Sequence, residues 1–138
     1  MAEITFDESR HPIITLVWPR EYSTADVEQF VVHLRALVQR KRSIAVINDI
    51  LRTRAPTAVE RKLITDLVRE NTSCFRDHVV GWSDVLRNPF IRGALIAMRW
   101  VTPNVVPHEI HGSVMDAEEW CRGRLEKRAL GRVNDSIS

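Results

Sequence analysis

Glycine is scarce in this chain, and the five present, Gly81, Gly93, Gly112, Gly123 and Gly131, stand apart from one another. Phosphate cradles need clustered glycines at a strand-to-helix turn, so nucleotide handling is disfavoured at once. Cysteine is scarcer still: Cys74 and Cys121 are alone and form no metal-type spacing. Neither charge sign dominates. The 20 basic and 18 acidic residues leave a net charge of +2 spread along the chain, which gives nucleic acid no concentrated basic face. No apolar run reaches the roughly 18–20 residues of a membrane span. The opening residues, MAEITFDESR, lack the basic segment and apolar block of a secretory signal, so a cytoplasmic location with both thiols reduced is expected.

What is present is regular punctuation. The 138 residues are 44% apolar and 28% charged, which suits one core in one domain. Four helix-start signals each follow a short apolar segment: Ser23 with Asp26, Thr57 with Glu60, Asn88 with Pro89, and Ser113 with Asp116. A hydroxyl or amide oxygen accepts from the free N–H groups of a first turn, an acid three residues on completes the box, and Pro suits the first helical position. Strands are expected at 2–8, 12–18, 43–50, 78–85 and 107–111. Helices are expected at 24–41, 58–71, 89–101 and 114–130, the last with a weak point at Gly123, and 131–138 reads as a flexible tail. The first helix presents Val27, Phe30, Val31, Leu34, Leu37 and Val38 on one stripe, and the second Val59, Leu63, Ile64, Leu67 and Val68. Cys121 shares a face with Ala117 and Leu125 and reads as packing. Trp18, Trp82 and Trp120 need no special role. The fold class is therefore α/β, ordered ββαβαβαβα: a five-stranded mixed sheet with one antiparallel edge hairpin and four helices in a single domain over 1–130.

The segments PIITLVWP, IAVINDI and AVERKLITDLVREN, with the ending PFIRGALIAMRWVTPNVVPHEIHGSVMDAEEWCRGRL, resemble the SpoIIAA-like branch of the STAS fold, the domain type of anti-sigma-factor antagonists. Ala117 and Trp120 match the small-residue-plus-Trp pattern of that family's last helix, and the resemblance covers nearly all of 2–130. It implies a small cytoplasmic bacterial protein that acts by binding, without catalysis or cofactor. Its partner would be another protein or a second copy of itself. The ligand and membrane association suggested for SpoIIAA-like relatives adds an alternative, a lipophilic small molecule or a membrane surface bound through a mobile third helix.

Chemistry is sparse in the residues themselves. Open α/β sheets place sites beyond the carboxyl ends of their strands. Those ends offer Asn48, Asp49, Ser83, Asp84 and His111, with Thr53 and Thr57 nearby. Ser83, His111 and an Asp can be assembled on paper into a hydrolytic triad, but Ser83 lacks the G-x-S-x-G turn that presents a nucleophile. His108 and His111 differ by three in a strand, so period two sends them to opposite faces and they share no metal ion. Thr57 sits broadly where the phosphorylatable serine of the antagonists lies, with Arg52, Arg54 and Arg61 in reach of a phosphate. The antagonists' Asp-Ser pair is absent, and capping explains Thr57 with Glu60 without modification.

The third helix carries the strongest hint. At 100° per residue Phe90, Ile91, Ala94, Ala97, Met98 and Val101 form the inward stripe, with Arg92 and Arg99 opposite. Leu95, Ile96 and Trp100 remain on the flanks, and the loop TPNVVP adds Val105 and Val106 and is expected to act as a hinge. This apolar width exceeds what one helix on a sheet requires. The interaction or ligand surface is therefore expected at Leu95, Ile96, Trp100, Val105 and Val106, bordered by Arg92 and Arg99.

Overall fold

Each helix-start signal is met by a hydrogen bond. Ser23 and Thr57 both form complete capping boxes. Asn88 Oδ1 accepts from Phe90 N at 2.9 Å, and Ser113 Oγ accepts from Asp116 N at 3.2 Å. The computed structural model describes residues 3–101 and 105–137, with side chains described for 3–96 and 105–131. The elements are β1 (Thr5–Arg10), β2 (Ile13–Val17), α1 (Thr24–Val38), β3 (Ile44–Asp49), α2 (Ala58–Glu70), α3 (Thr72–His78), β4 (Val79–Val85), α4 (Pro89–Val101), β5 (His108–His111) and α5 (Val114–Ile137). The five strands lie in the order β1-β2-β3-β4-β5, with β1 antiparallel to β2 and the other pairs parallel.

Sequential strand order dictates the layers. Right-handed crossovers that all step in one direction place their helices on one face. Accordingly α1, α2, α3 and α4 share a core with Ile14, Leu16, Trp18 and Val46. The helix after the last strand takes the other side, where Ala117 and Cys121 of α5 pack on Ile13, Ala45, Ile47 and Val85. Strand alternation separates the two sets, since successive residues of β3 and β4 point to opposite faces. Contact with α5 is close: a Cβ built at Gly81 would lie 3.0 Å from the Trp120 ring and 3.1 Å from Arg124 Cγ, which is why glycine stands there. Cys121 is fully buried, and burial pushes its thiol up to about 12, so it behaves as an inert apolar group. At the β1 edge Glu8 pairs with Arg40 at 2.6 Å, and Arg10 pairs with Glu118.

Several boundaries and faces differ from expectation. Among the described residues the helices number five, because 72–77, expected to be a link, winds together with His78 of the expected fourth strand into α3. Phe75 anchors that turn in the core, and Thr72 Oγ1 donates to the carbonyls of Val68 and Arg69. The first helix stops at Val38, and the chain leaves it through Lys41, whose φ of 58° no helix accommodates. The last helix runs unbroken past Gly123 to Ile137, beyond the expected end at 130. Val59, expected inside, is 62% exposed, because Glu60 turns inward instead and is fully buried by its partners. Phe90, also expected inside, is 86% exposed, and the inward side of α4 begins at Ile91. The α1 stripe is as read, with all six residues buried.

Candidate functional site

Asp84 is the centre of a polar floor on the sheet face beneath α1–α4. Its Oδ1 accepts from Asn48 Nδ2 at 2.8 Å and from Trp82 Nε1 at 3.0 Å, and its Oδ2 meets His108 Nε2. Asn48 Oδ1 in turn accepts from Trp18 Nε1 at 2.7 Å. Register explains the convergence. Asn48 stands beside Asp84 and Trp82 beside His108 in the parallel ladder, so all four project to one face. Every buried polar atom of Asp84 and Asn48 named here has a partner, and side chains thus tie three strands together in addition to the backbone ladder.

Above this floor is a cavity of about 210 Å³. Its walls are largely apolar: Leu34 of α1, Ile64 and Val68 of α2, Phe75 of α3, Ile91, Ala94 and Leu95 of α4, with Ile50, Val105 and Val106 from loops. Trp18, Asn48, Trp82, Asp84 and His108 form the polar end, and Tyr22, Thr53 and Arg54 border it. An apolar hollow with a few convergent polar groups, past the carboxyl ends of parallel strands, is the common form of a small-molecule site.

The loop between β3 and α2 is clasped over one side. Arg54 donates from both guanidinium ends to the Glu60 carboxylate, at 2.8 and 3.0 Å, and again to the Tyr22 carbonyl at 2.8 Å. Its guanidinium carbon also lies 3.9 Å from the centre of the Tyr22 ring. Glu60 further accepts from Thr57 N and from Thr24 Oγ1. The Arg54 hydrogen bonds hold the Glu60 carboxyl down at about 2, against the opposing effect of burial. Burial pushes the Tyr22 hydroxyl above its ordinary value.

On the opposite face, Ser83 Oγ lies 2.6 Å from His111 Nδ1, and His111 Nε2 lies 3.8 Å from Glu109 Oε1. Two members of the paper triad therefore meet. Asp84 does not join them, because adjacent strand residues point apart, and His108 and His111 likewise divide between the faces. Ser83 is fully buried, closed in beneath α5 with Trp120 against the His111 ring. A nucleophile that substrate cannot touch does no acyl chemistry, so the pair acts as a pin between β4 and β5. Among the described residues no group of three or more His, Cys, Asp or Glu is placed to hold a metal ion. Among them, too, no helix is long and apolar enough to cross a membrane.

The expected surface residues divide. Leu95, Val105 and Val106 are partly buried and line the cavity, while Ile96 and Arg92 face solvent. The side chains of Ala97, Met98, Arg99, Trp100 and Val101, and the loop residues 102–104 of the expected hinge, lie outside the described residues. Thr57 is exposed at the start of α2, its Oγ1 accepting from Glu60 N at 3.2 Å. Of the arginines expected near it, Arg54 is engaged by Glu60, and Arg61 donates to the Pro56 carbonyl. Sequence reasoning missed His108 as a partner of Asp84. It also left Trp18 and Trp82 without a role, whereas both indole N–H groups donate into the floor. The one available signal was alternation: Trp82 and Asp84 share a strand face, and a buried Asp there requires donors.

No protein-family model matches the chain, and no curated protein matches it. Among solved structures it is similar to an anti-sigma factor antagonist from Mycobacterium paratuberculosis, at 15% identity and a TM-score of 0.59, over 87% of this chain and 95% of that one. It is equally similar to a DUF3478-family protein with a SpoIIAA-like fold from Shewanella loihica PV-4, at 15% identity and a TM-score of 0.59, over 86% of this chain and 91% of that one. The arrangement of sheet and helices described above is thus the SpoIIAA-like, STAS-type fold.

Proposed function

We propose that this protein is a non-catalytic STAS-type regulatory module whose input is a small, mainly apolar ligand held between the sheet and α4. The observation that carries the reading is the cavity of about 210 Å³ with apolar walls and an Asp84-centred floor. A SpoIIAA-like fold shared with an anti-sigma factor antagonist supports a protein partner as the output. The geometry supports a link between the two. Ile91, Ala94 and Leu95 of α4 line the cavity, while Phe90, Arg92 and Ile96 of the same helix face outward. A ligand that favours one packing of α4 biases what its outer face offers to a partner, because populations follow differential affinity.

Native mass spectrometry of the protein, gently purified from its own cell, tests this. The expected result is a small molecule retained by the native protein and released on denaturation. It should be absent from Ile64→Trp, whose added ring occupies the cavity. A wild-type protein that stays ligand-free under all growth conditions would count against the reading.

A further inference from the structure

Two side-chain atoms among the described residues are buried without a partner at hydrogen-bond geometry: His108 Nδ1, and Thr53 Oγ1, which lies near the Tyr22 hydroxyl but short of a well-formed bond to it. Both residues line the same cavity, one at its floor and one on the clasped loop. Buried polar groups are hydrogen-bonded in the great majority of native structures, and leaving one unmade is costly. The coincidence of both orphans at one otherwise apolar hollow asks for a guest that is itself polar at that end.

The donor inventory restricts the guest further. Asp84 Oδ1 is already met by two obligate donors, Asn48 Nδ2 and Trp82 Nε1, and its Oδ2 faces His108 Nε2. A carboxylate accepts, so Nε2 carries the hydrogen and Nδ1 is left to the cavity's side of the account: a lone pair on the neutral ring, an N–H on the charged one. A hydroxyl both donates and accepts and therefore suits Nδ1 in either state, as it suits the Thr53 hydroxyl. Charge points the same way. Among the described lining residues the one arginine, Arg54, is engaged on both guanidinium ends by Glu60, and the other fixed charge is the Asp84 carboxylate. Among those residues no uncompensated cation is left to hold an acid.

We infer that the ligand is a neutral, compact, ring-sized alcohol or phenol whose hydroxyl bonds to His108 Nδ1 and Thr53 Oγ1 while its hydrocarbon body fills the apolar walls. A cavity of roughly 150 Å³ accepts benzene, so by proportion this one of about 210 Å³ encloses about eight non-hydrogen atoms, and its open side admits a ring system slightly larger. The inference rests on the ligand reading above and adds the chemistry that selects the ligand.

Three probes of one shape test it on the full chain at pH 7: 2-naphthol, naphthalene and 2-naphthoate, titrated by calorimetry and by the emission of Trp18 and Trp82. 2-Naphthol should bind at least about tenfold more tightly than naphthalene, because its hydroxyl satisfies groups otherwise left unpaired. 2-Naphthoate should bind no better than naphthalene. Thr53→Val, isosteric and on a loop, and His108→Phe should each remove several-fold of the naphthol preference and leave naphthalene unchanged. Should His108→Phe fail to fold, Thr53→Val carries the test by itself. Equal binding of naphthol and naphthalene, or tightest binding of naphthoate, overturns the hydroxyl inference and leaves the ligand reading standing. Binding of none of the three overturns both.

Discussion

The two faces of the sheet are built from alternate residues of the same strands, yet they do different things. Under α5 the contact is tight: a methyl group at Gly81 would press on Trp120, and Ser83 and His111 close on each other. Under α1–α4 the same strands present Trp82, Asp84 and His108 to a hollow. Moving one residue along β4, from Ser83 to Asp84, crosses from a packed contact to the wall of a hollow. One helix laid flat across β3 and β4 seals a face. The four shorter helices of the other face leave a space that their side chains only line.

The contrast can be tested by substitution. Asp84→Ala should have the largest effect, a loss of about 3–5 kcal/mol in urea unfolding, because it strands His108 and two further buried donors at once. A loss below about 1 kcal/mol would mean that the floor is not held by that network. Gly81→Ala should cost about 1–3 kcal/mol through overpacking against Trp120. Ala94→Val, which adds carbon on the cavity side, should cost less than about 1 kcal/mol, most of it helix propensity. Equal costs for those two would erase the distinction between the faces. Thr57→Ala should cost about 1 kcal/mol by removing the α2 cap.

Acid should act through the clasp. The Glu60 carboxyl is depressed from 4.5 to about 2 in the folded state, so its contribution is complete above the unfolded value and is lost as pH falls from about 4.5 towards 2. Unfolding midpoints measured across that window should fall for the wild type and much less for Glu60→Gln. Phe90→Ser should have the smallest effect, within about 0.5 kcal/mol, since its side chain contributes little to the core. A larger loss for Phe90→Ser would place that ring in a contact made in solution.

Local chemistry was legible and long-range pairing was not. All four helix starts could be read because a cap and the N–H groups it serves lie within three residues. The α1 stripe could be read because every one of its inward positions is apolar. The α2 and α4 faces were misjudged at Val59 and Phe90. There periodicity alone cannot show that Glu60 goes inside to meet Arg54 and Thr24, 6 and 36 residues away. The strand-end location of Asn48, Asp84 and Thr53 followed from topology. The bond between Asp84 and His108 did not, because it depends on the register of β4 against β5 across an intervening helix. The short α3 escaped notice for a related reason: its start has no side-chain cap, and a single buried ring, Phe75, holds it.

The charged trim of β1 has a consequence for assembly. An outermost strand with free N–H and C=O groups is a template on which another chain can add, and proteins guard against this with charge and brevity. Here Glu8 is drawn into an ion pair with Arg40 just past the end of α1 and Arg10 into one with Glu118 of α5, and β5 at the other margin is four residues long. Sheet extension from copy to copy is thereby discouraged at both ends.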